Sequence, residues 1–228
     1  MRIIARLDIK NDHVIKGIHL EGLRKVGNPN ELAKLYYQQG IDEIVFMDAV
    51  ASLYDRNNLF NIIQKACDDV FIPIAIGGGL RTLDDVSMAL DSGADKVVIN
   101  TGAVKNINLI ESIAKRYGSQ CIVCSIEAKR IGDKWNAYTD NGREPTDLDV
   151  IKWAKTLEES GAGELLITSI DKEGTQSGFD INLIEAISSS VKRPIIVSGG
   201  YGKPDDIKKL FSKVQPSAVA FASVLHYK

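Results

Sequence analysis

The sequence predicts an α/β protein, an eight-stranded parallel (β/α)8 TIM barrel assembled from two similar (βα)4 halves. Three observations carry this. Apolar runs alternate with amphipathic segments along the 228 residues, the second half repeats the first at a nearly fixed offset, and glycine-rich segments close corresponding runs in both halves. The runs are RIIARLDI (2–9), IDEIVFMD (41–48), FIPIAIG (71–77), ADKVVIN (94–100), QCIVCSIE (120–127), GELLITSI (163–170), RPIIVSG (193–199) and SAVAFAS (217–223). They are continuously apolar rather than alternating, as strands buried on both faces of a parallel sheet are. Between them lie helix starts: Asn28 and Pro29 ahead of ELAKLYYQQG, Thr82 ahead of LDDVSMALDSG, Thr146 ahead of DLDVIKWAKTLEESG, and Lys203 and Pro204 ahead of DDIKKLF.

The repeat organises these elements. IDEIVFMD at 41–48 aligns with AGELLITS at 162–169, and FIPIAIGGG at 71–79 with KRPIIVSGG at 192–200, both at an offset of 121. The alignment carries Glu43 onto Glu164, Pro73 onto Pro194, Gly78 onto Gly199, and Asp84 and Asp85 onto Asp205 and Asp206. At an offset of 119, RLDIK matches SIEAK, pairing Asp8 with Glu127 and Lys10 with Lys129. Closing two such halves edge to edge removes the exposed sheet edges and sets every strand's C-terminus on one face, where function is expected. A doubly wound open sheet competes, but neither glycine-rich segment reads G-x-G-x-x-G with an acid about 20 residues on. One barrel domain over residues 1–228 is expected.

Composition narrows the function classes. Net charge is −2, with 28 basic and 30 acidic residues interspersed, so no basic stripe suited to a nucleic-acid backbone is present. Neither a secretory leader nor an 18-residue apolar run is legible, so a cytoplasmic protein without a membrane segment is expected. Cys67, Cys121 and Cys124 are too few for a disulfide framework, and Cys121 and Cys124, read as three apart on one strand, should face opposite sides. His13, His19 and His226 form no metal-ligand spacing, and His226 reads as a surface residue. Neither a metal nor a cofactor is expected.

The strand ends carry the chemistry. Gly77-Gly78-Gly79 and Asn100-Thr101-Gly102 close the third and fourth runs; Ser198-Gly199-Gly200 and Ala222-Ser223 close the seventh and eighth. Glycines let backbone N–H groups approach an oxyanion, and short hydroxyl and amide side chains add donors. Two such cradles, related by the repeat, should lie on opposite sides of the barrel mouth and take a ligand with a phosphate at each end. Between them Asp8 and Glu127 end opposed strands as a candidate acid and base. Lys16, Asp48, Lys129, Thr168 and Asp171 are candidates for orienting the ligand.

The segments RIIARLDIKNDHVIKG, IDEIVFMD, IGGGLRTLDDV, GADKVVINTGAV, GSQCIVCSIEAKR, GAGELLITSIDKEGT and SGGYGK together resemble the cyclase subunit of imidazole glycerol phosphate synthase over nearly the whole chain. The resemblance implies that ammonia from a separate glutaminase subunit passes through the barrel. At the top it meets a bisphosphate aminoimidazole carboxamide ribonucleotide derivative, giving imidazole glycerol phosphate in histidine biosynthesis. It also implies Asp8 and Glu127 as the catalytic acids, with Lys16 on a mobile loop above them. Gly79, Asn100 and Thr101 would serve one phosphate; Gly174, Ser198, Gly200 and Ser223 the other. Arg2, Glu43, Lys96 and Glu164 match an ammonia gate at the barrel base, and Asp95 a contact with the glutaminase.

Several positions depart from that pattern. Glu127 stands where the family has aspartate, which moves a proton-transfer group by roughly an ångström. Glu173 likewise replaces an aspartate. Arg6 replaces a small residue, and strand alternation turns Arg2, Ile4, Arg6 and Asp8 inward, so Arg6 requires a carboxylate partner, Asp8 or Glu127. The family has a further helix after the eighth strand, and without it an apolar patch is expected beside the seam between the last and first strands. These departures motivate two alternatives: a paralogue supplying ammonia for sugar amidation in surface-polysaccharide synthesis, and a non-catalytic barrel that conducts ammonia as a scaffold.

Overall fold

The computed structural model describes residues 1–51 and 59–227. Its strands, in chain order, are β1 (Arg2–Lys10), β2 (His13–Ile18), β3 (Glu21–Gly27), β4 (Glu43–Asp48), β5 (Ile74–Gly77), β6 (Lys96–Ile99), β7 (Ile122–Ile131), β8 (Lys134–Thr139), β9 (Glu144–Asp149), β10 (Glu164–Ser169), β11 (Ile195–Ser198) and β12 (Ala218–Phe221). Eight of them pair in parallel in the order β1-β4-β5-β6-β7-β10-β11-β12, and β12 pairs back onto β1, closing the ring. Each of these eight strands contains or overlaps one of the apolar runs.

Alternation splits the apolar side chains into two layers. Ile4, Val45, Ala75, Val98, Val123, Leu166, Ile196, Ala218 and Ala220 meet inside the ring and fill the lumen. Their neighbours, such as Leu7, Phe46, Ile126 and Val219, point outward and pack under helices through Ile63, Val86, Ile110, Leu157, Ile184 and Leu210. An eight-stranded barrel interior is wide enough only for side chains, so this lumen is a packed core.

The helix starts follow local chemistry. Asn28 Oδ1 accepts from the N–H groups of Asn30 and Glu31 ahead of the helix Pro29–Gln38. Thr82 Oγ1 accepts from Asp85 N–H while Asp85 Oδ2 accepts from the Arg81 and Thr82 N–H groups. The repeat reproduces the second half of this device: Asp206 Oδ2 accepts from Gly202 and Lys203. Thr146 does not start a helix. It lies in β9, and Asp149 caps the helix Val150–Glu159 instead, because the segment before it is recruited into a hairpin.

That hairpin, and its counterpart in the first half, are additions to the expected barrel. β2 and β3 fold back antiparallel on the extended end of β1, and β8 and β9 on that of β7. His13–Ile18 and Lys134–Thr139 are both six residues long and lie 121 apart, so the hairpins belong to the duplication. They roof the mouth together: Leu20 of the first meets Tyr138 of the second and Ile170 in a small separate apolar cluster.

Three further expectations are corrected. Cys121 sits in a 3-10 turn before β7, not on the strand, so Cys121 and Cys124 both belong to the outer apolar layer; both thiols are free. His226 is not a surface residue: its ring stacks on Tyr36 with centroids 5.9 Å apart, its Nδ1 lies 2.8 Å from the Tyr36 hydroxyl, and burial pushes the imidazole down to about 4. It belongs to a short helix, Ser223–His226, that follows β12 and is tied to the helix Pro29–Gln38, since the Tyr36 hydroxyl donates to Leu225 O. The seam patch is accordingly small. Ala5, Leu7 and Val219 are fully buried, and Ile3 is 37% exposed. Among the described residues no helix is long and apolar enough to cross a membrane.

Candidate active site

Of the pockets that open at the C-terminal ends of the strands, two lie four strands apart around the ring. The first lies between β5 and β6 and is lined by Asp48, Gly78, Gly79, Asn100, Thr101, Gly102 and Glu127, together with Arg81, Lys105 and Asn141. The second lies between β11 and β12 and is lined by Glu173, Gly174, Ser198, Gly199, Gly200 and Ser223. Both glycine turns require positive φ. Gly78 has φ 97° and a Cβ there would lie 2.4 Å from Asp48 O; Gly200 has φ 102° and its Cβ would lie 2.2 Å from Gly178 O. Only glycine leaves backbone N–H groups accessible in such a turn. Gly200→Ala is therefore expected to destabilise the fold by at least about 1 kcal/mol and to lose pyrophosphate binding, checked by urea denaturation and calorimetric titration.

Asp8 and Glu127 stand at the same end, on β1 and β7, four strands apart in the ring. Each is nearly buried, 6% and 3% exposed. Asp8 Oδ1 accepts from Arg6 Nε at 2.9 Å and its Oδ2 lies 4.0 Å from Lys16 Nζ. Burial works against the Asp8 charge, but the Arg6 guanidinium and the Lys16 ammonium overcome it and hold the carboxyl below the usual carboxylate range. Glu127 Oε2 accepts from Asn100 Nδ2 at 3.0 Å and from Gly142 N–H at 2.8 Å. Burial pushes its carboxyl up to about 7, with Arg6 and the Gly142 N–H opposing. One group is thus set to be charged and the other to hold a proton near neutrality, the division that acid–base chemistry requires.

At the opposite end of the barrel four charges close a ring. Arg2 Nη1 donates to Glu43 Oε2 at 2.7 Å and to Glu164 Oε1 at 3.2 Å, while Lys96 Nζ donates to Glu43 Oε2 at 3.0 Å and Glu164 Oε1 at 2.9 Å. Each carboxylate has two cation partners and each cation two carboxylates, so the ring satisfies itself below the apolar lumen. Asp95 is exposed beside it, with Oδ2 accepting from Ile74 N–H.

Residues 2–228 match the family described as histidine biosynthesis protein. The chain belongs to that family. Among similar members, the imidazole glycerol phosphate synthase subunit HisF of Legionella pneumophila is 58% identical over 207 residues, 90% of this chain and 98% of that protein. The HisF subunit of Myxococcus xanthus is 46% identical over 225 residues, 99% of this chain and 89% of the relative. That of Hydrogenobaculum is 47% identical over 228 residues, 100% and 90% respectively.

Within this histidine biosynthesis barrel most residues singled out in the sequence converge as expected, and a few do not. Thr168 is fully buried on β10, in register with Glu127 of β7, and accepts from Arg6 Nη1, so it faces the lumen. Asp48 lines the first pocket; burial pushes its carboxyl up, opposed by the Val50 and Ala51 N–H groups. Lys16 is not on a free loop: it is a β2 residue, buried, with its ammonium on Glu173. Lys129 is exposed with its ammonium 5.6 Å from the Tyr138 ring centroid, and Asp171 accepts from Arg130 N–H at 2.8 Å; neither is in the lining of the two glycine pockets. Both are engaged by the extended end of β7: Lys129 lies on it, against Tyr138 of β8, and Arg130 on it holds Asp171.

Asn141 and Gly142 are site residues that the sequence reading passed over. They sit in the β8–β9 turn, where Asp140, Asn141 and Gly142 all have positive φ and Gly142 N–H holds Glu127. An Asn-Gly pair between strand-like segments is the strongest short-range hairpin signal, and it was there to be read.

Proposed function

We propose that this barrel is the cyclase subunit of an imidazole glycerol phosphate synthase. It takes ammonia from a separate glutaminase subunit and a bisphosphate aminoimidazole carboxamide ribonucleotide derivative, and yields imidazole glycerol phosphate and the released ribonucleotide. The observation that carries the reading is the pair of glycine cradles four strands apart with Asp8 and Glu127 between them. Gly79, Asn100 and Thr101 bind one phosphate; Gly174, Ser198, Gly199, Gly200 and Ser223 bind the other. Asp8 accepts a proton and Glu127 donates one. The names of the relatives, as subunits of a synthase, support a partner subunit, and the glutaminase docks at the base, where Met1, Phe71 and Asp95 are exposed just ahead of β1, β5 and β6.

Turnover of the bisphosphate ribonucleotide with ammonium salts tests the reading, and its absence across the pH range overturns it. A protonated Glu127 gives the rate an alkaline limb: turnover falls as pH rises past about 7, and Glu127→Gln removes the limb along with most of the activity. The same group links pH to stability. Its folded pKa lies above the ordinary glutamate value, so its contribution is fully present below that value and is lost as pH rises through about 7.

One observation favours a second reading, a paralogue that delivers ammonia for sugar amidation in surface-polysaccharide synthesis. The Asp8 carboxylate is already engaged by Arg6, a residue that the cyclase resemblance does not supply. Tight binding of the bisphosphate ribonucleotide without turnover is the result that reading expects.

A further inference from the structure

Arg6 crosses the lumen. It springs from β1, and its Nη1 donates to Thr168 Oγ1 on β10 at 3.0 Å, three strands round the ring. The same crossing occurs two layers below, beneath the Ile4 and Leu166 layer, where Arg2 on β1 reaches Glu164 on β10. At the lower level the acceptor across the ring is a carboxylate. At the upper level it is a neutral hydroxyl, and the carboxylate that answers the guanidinium is Asp8, two residues along the same strand. Arg6 is 2% exposed and Thr168 fully buried, so the side chain is fixed at both ends of its reach.

The two acids differ in what touches them. Asp8 faces cations, Arg6 at 2.9 Å and Lys16 at 4.0 Å, while Glu127 receives only neutral donors, Asn100 at 3.0 Å and Gly142 N–H at 2.8 Å. The remaining charged or titratable groups nearby are Glu173, itself held by Lys16, His226 near Asp8, and Asp140 near Glu127. Of these groups Arg6 alone bonds directly to Asp8 and is also anchored on the far wall.

We infer that Arg6 is the positioning residue that gives the two acids their separate tasks: braced across the lumen on Thr168, it fixes Asp8 as the charged proton acceptor and leaves Glu127 as the donor. The inference rests on reading the barrel as an acid–base cyclase. A guanidinium suits the role because its planar fork holds two acceptors at once and does not titrate, whereas a lysine ammonium is a flexible point charge. Among the described residues Arg6 Nη2 is buried without a hydrogen-bond partner.

Carbon-13 NMR titration of the Asp8 carboxyl in the full chain, without any substrate, tests this directly. In the unmodified protein Asp8 is expected to titrate below the ordinary aspartate range; titration within or above that range overturns the inference whether or not any variant folds. In Arg6→Met, with a dispersed spectrum showing that it is folded, the midpoint is expected to rise by a unit or more, and in Arg6→Lys to stay low. An unchanged midpoint in folded Arg6→Met overturns the inference. A second arm reads the ammonium-dependent pH profile. Its acid limb moves upward in Arg6→Met, about a tenfold loss of rate on the acid side for each unit, and the alkaline limb of Glu127 persists but moves upward too, because Arg6 opposes the upward push on that carboxyl. Should the unmodified protein show no turnover, the cyclase reading fails, and the NMR result still decides whether Arg6 holds Asp8 charged.

Discussion

Asp8→Asn is expected to lower ammonium-dependent turnover by on the order of 10²–10⁴-fold, the usual contribution of a positioned acid–base group. An amide of the same shape cannot accept a proton, and it leaves the Arg6 guanidinium facing a neutral group in a site where both are buried. Some stability loss therefore accompanies the kinetic one, because a buried cation stripped of its carboxylate is costly. The two effects separate in the cradles. Gly79, Thr101, Gly200 and Ser223 are untouched, so pyrophosphate binding measured by calorimetry should persist in Asp8→Asn. Turnover within a few fold of the unmodified protein would remove Asp8 from the chemistry and transfer weight to the paralogue reading.

The largest stability effect is expected at the base of the barrel. Glu43 is 1% exposed and accepts from both Arg2 and Lys96, so Glu43→Gln leaves two cations sharing the single carboxylate of Glu164. Breaking one member out of a buried ionic set typically costs about 3–5 kcal/mol. The partial exposure of Arg2 allows water to screen part of that loss, placing the expectation at the lower end. Urea denaturation measures it. Replacing Glu43 and Lys96 together with methionine should recover part of the loss, since removing a buried pair costs far less than orphaning one partner. A single-variant loss below about 1 kcal/mol, the range of surface pairs, would mean that the ring is solvated and does not close the lumen.

Much of this site was legible in sequence because its rules are local or periodic. Inward placement of Arg2, Ile4, Arg6 and Asp8 follows from strand alternation, and the lumen layer containing Ile4 confirms the phase. The glycines of both cradles were readable because a backbone that must adopt positive φ at Gly78 and Gly200 excludes other residues. The matching of Glu43 with Glu164 came from the repeat alone, and the structure brings both onto Arg2 and Lys96. Thr146 failed for the opposite reason. Its cap chemistry was suitable, but β9 pairs with β8, and that pairing overrode the local preference.

The amino-acid sequence by itself determined the barrel, its duplication, the two glycine turns at the strand ends and the carboxyls that face the mouth between them, since each follows from side-chain period or backbone conformational freedom within a short segment. Tertiary structure alone decided which charge answers which. Arg6 meets Thr168 from 162 positions away, Lys16 meets Glu173 from 157, and the β8–β9 turn delivers Gly142 to Glu127. Those contacts depend on the closure of the ring and on the hairpins folding over its mouth, and a carboxyl's readiness to hold or release a proton depends on burial and on neighbours that only closure brings near.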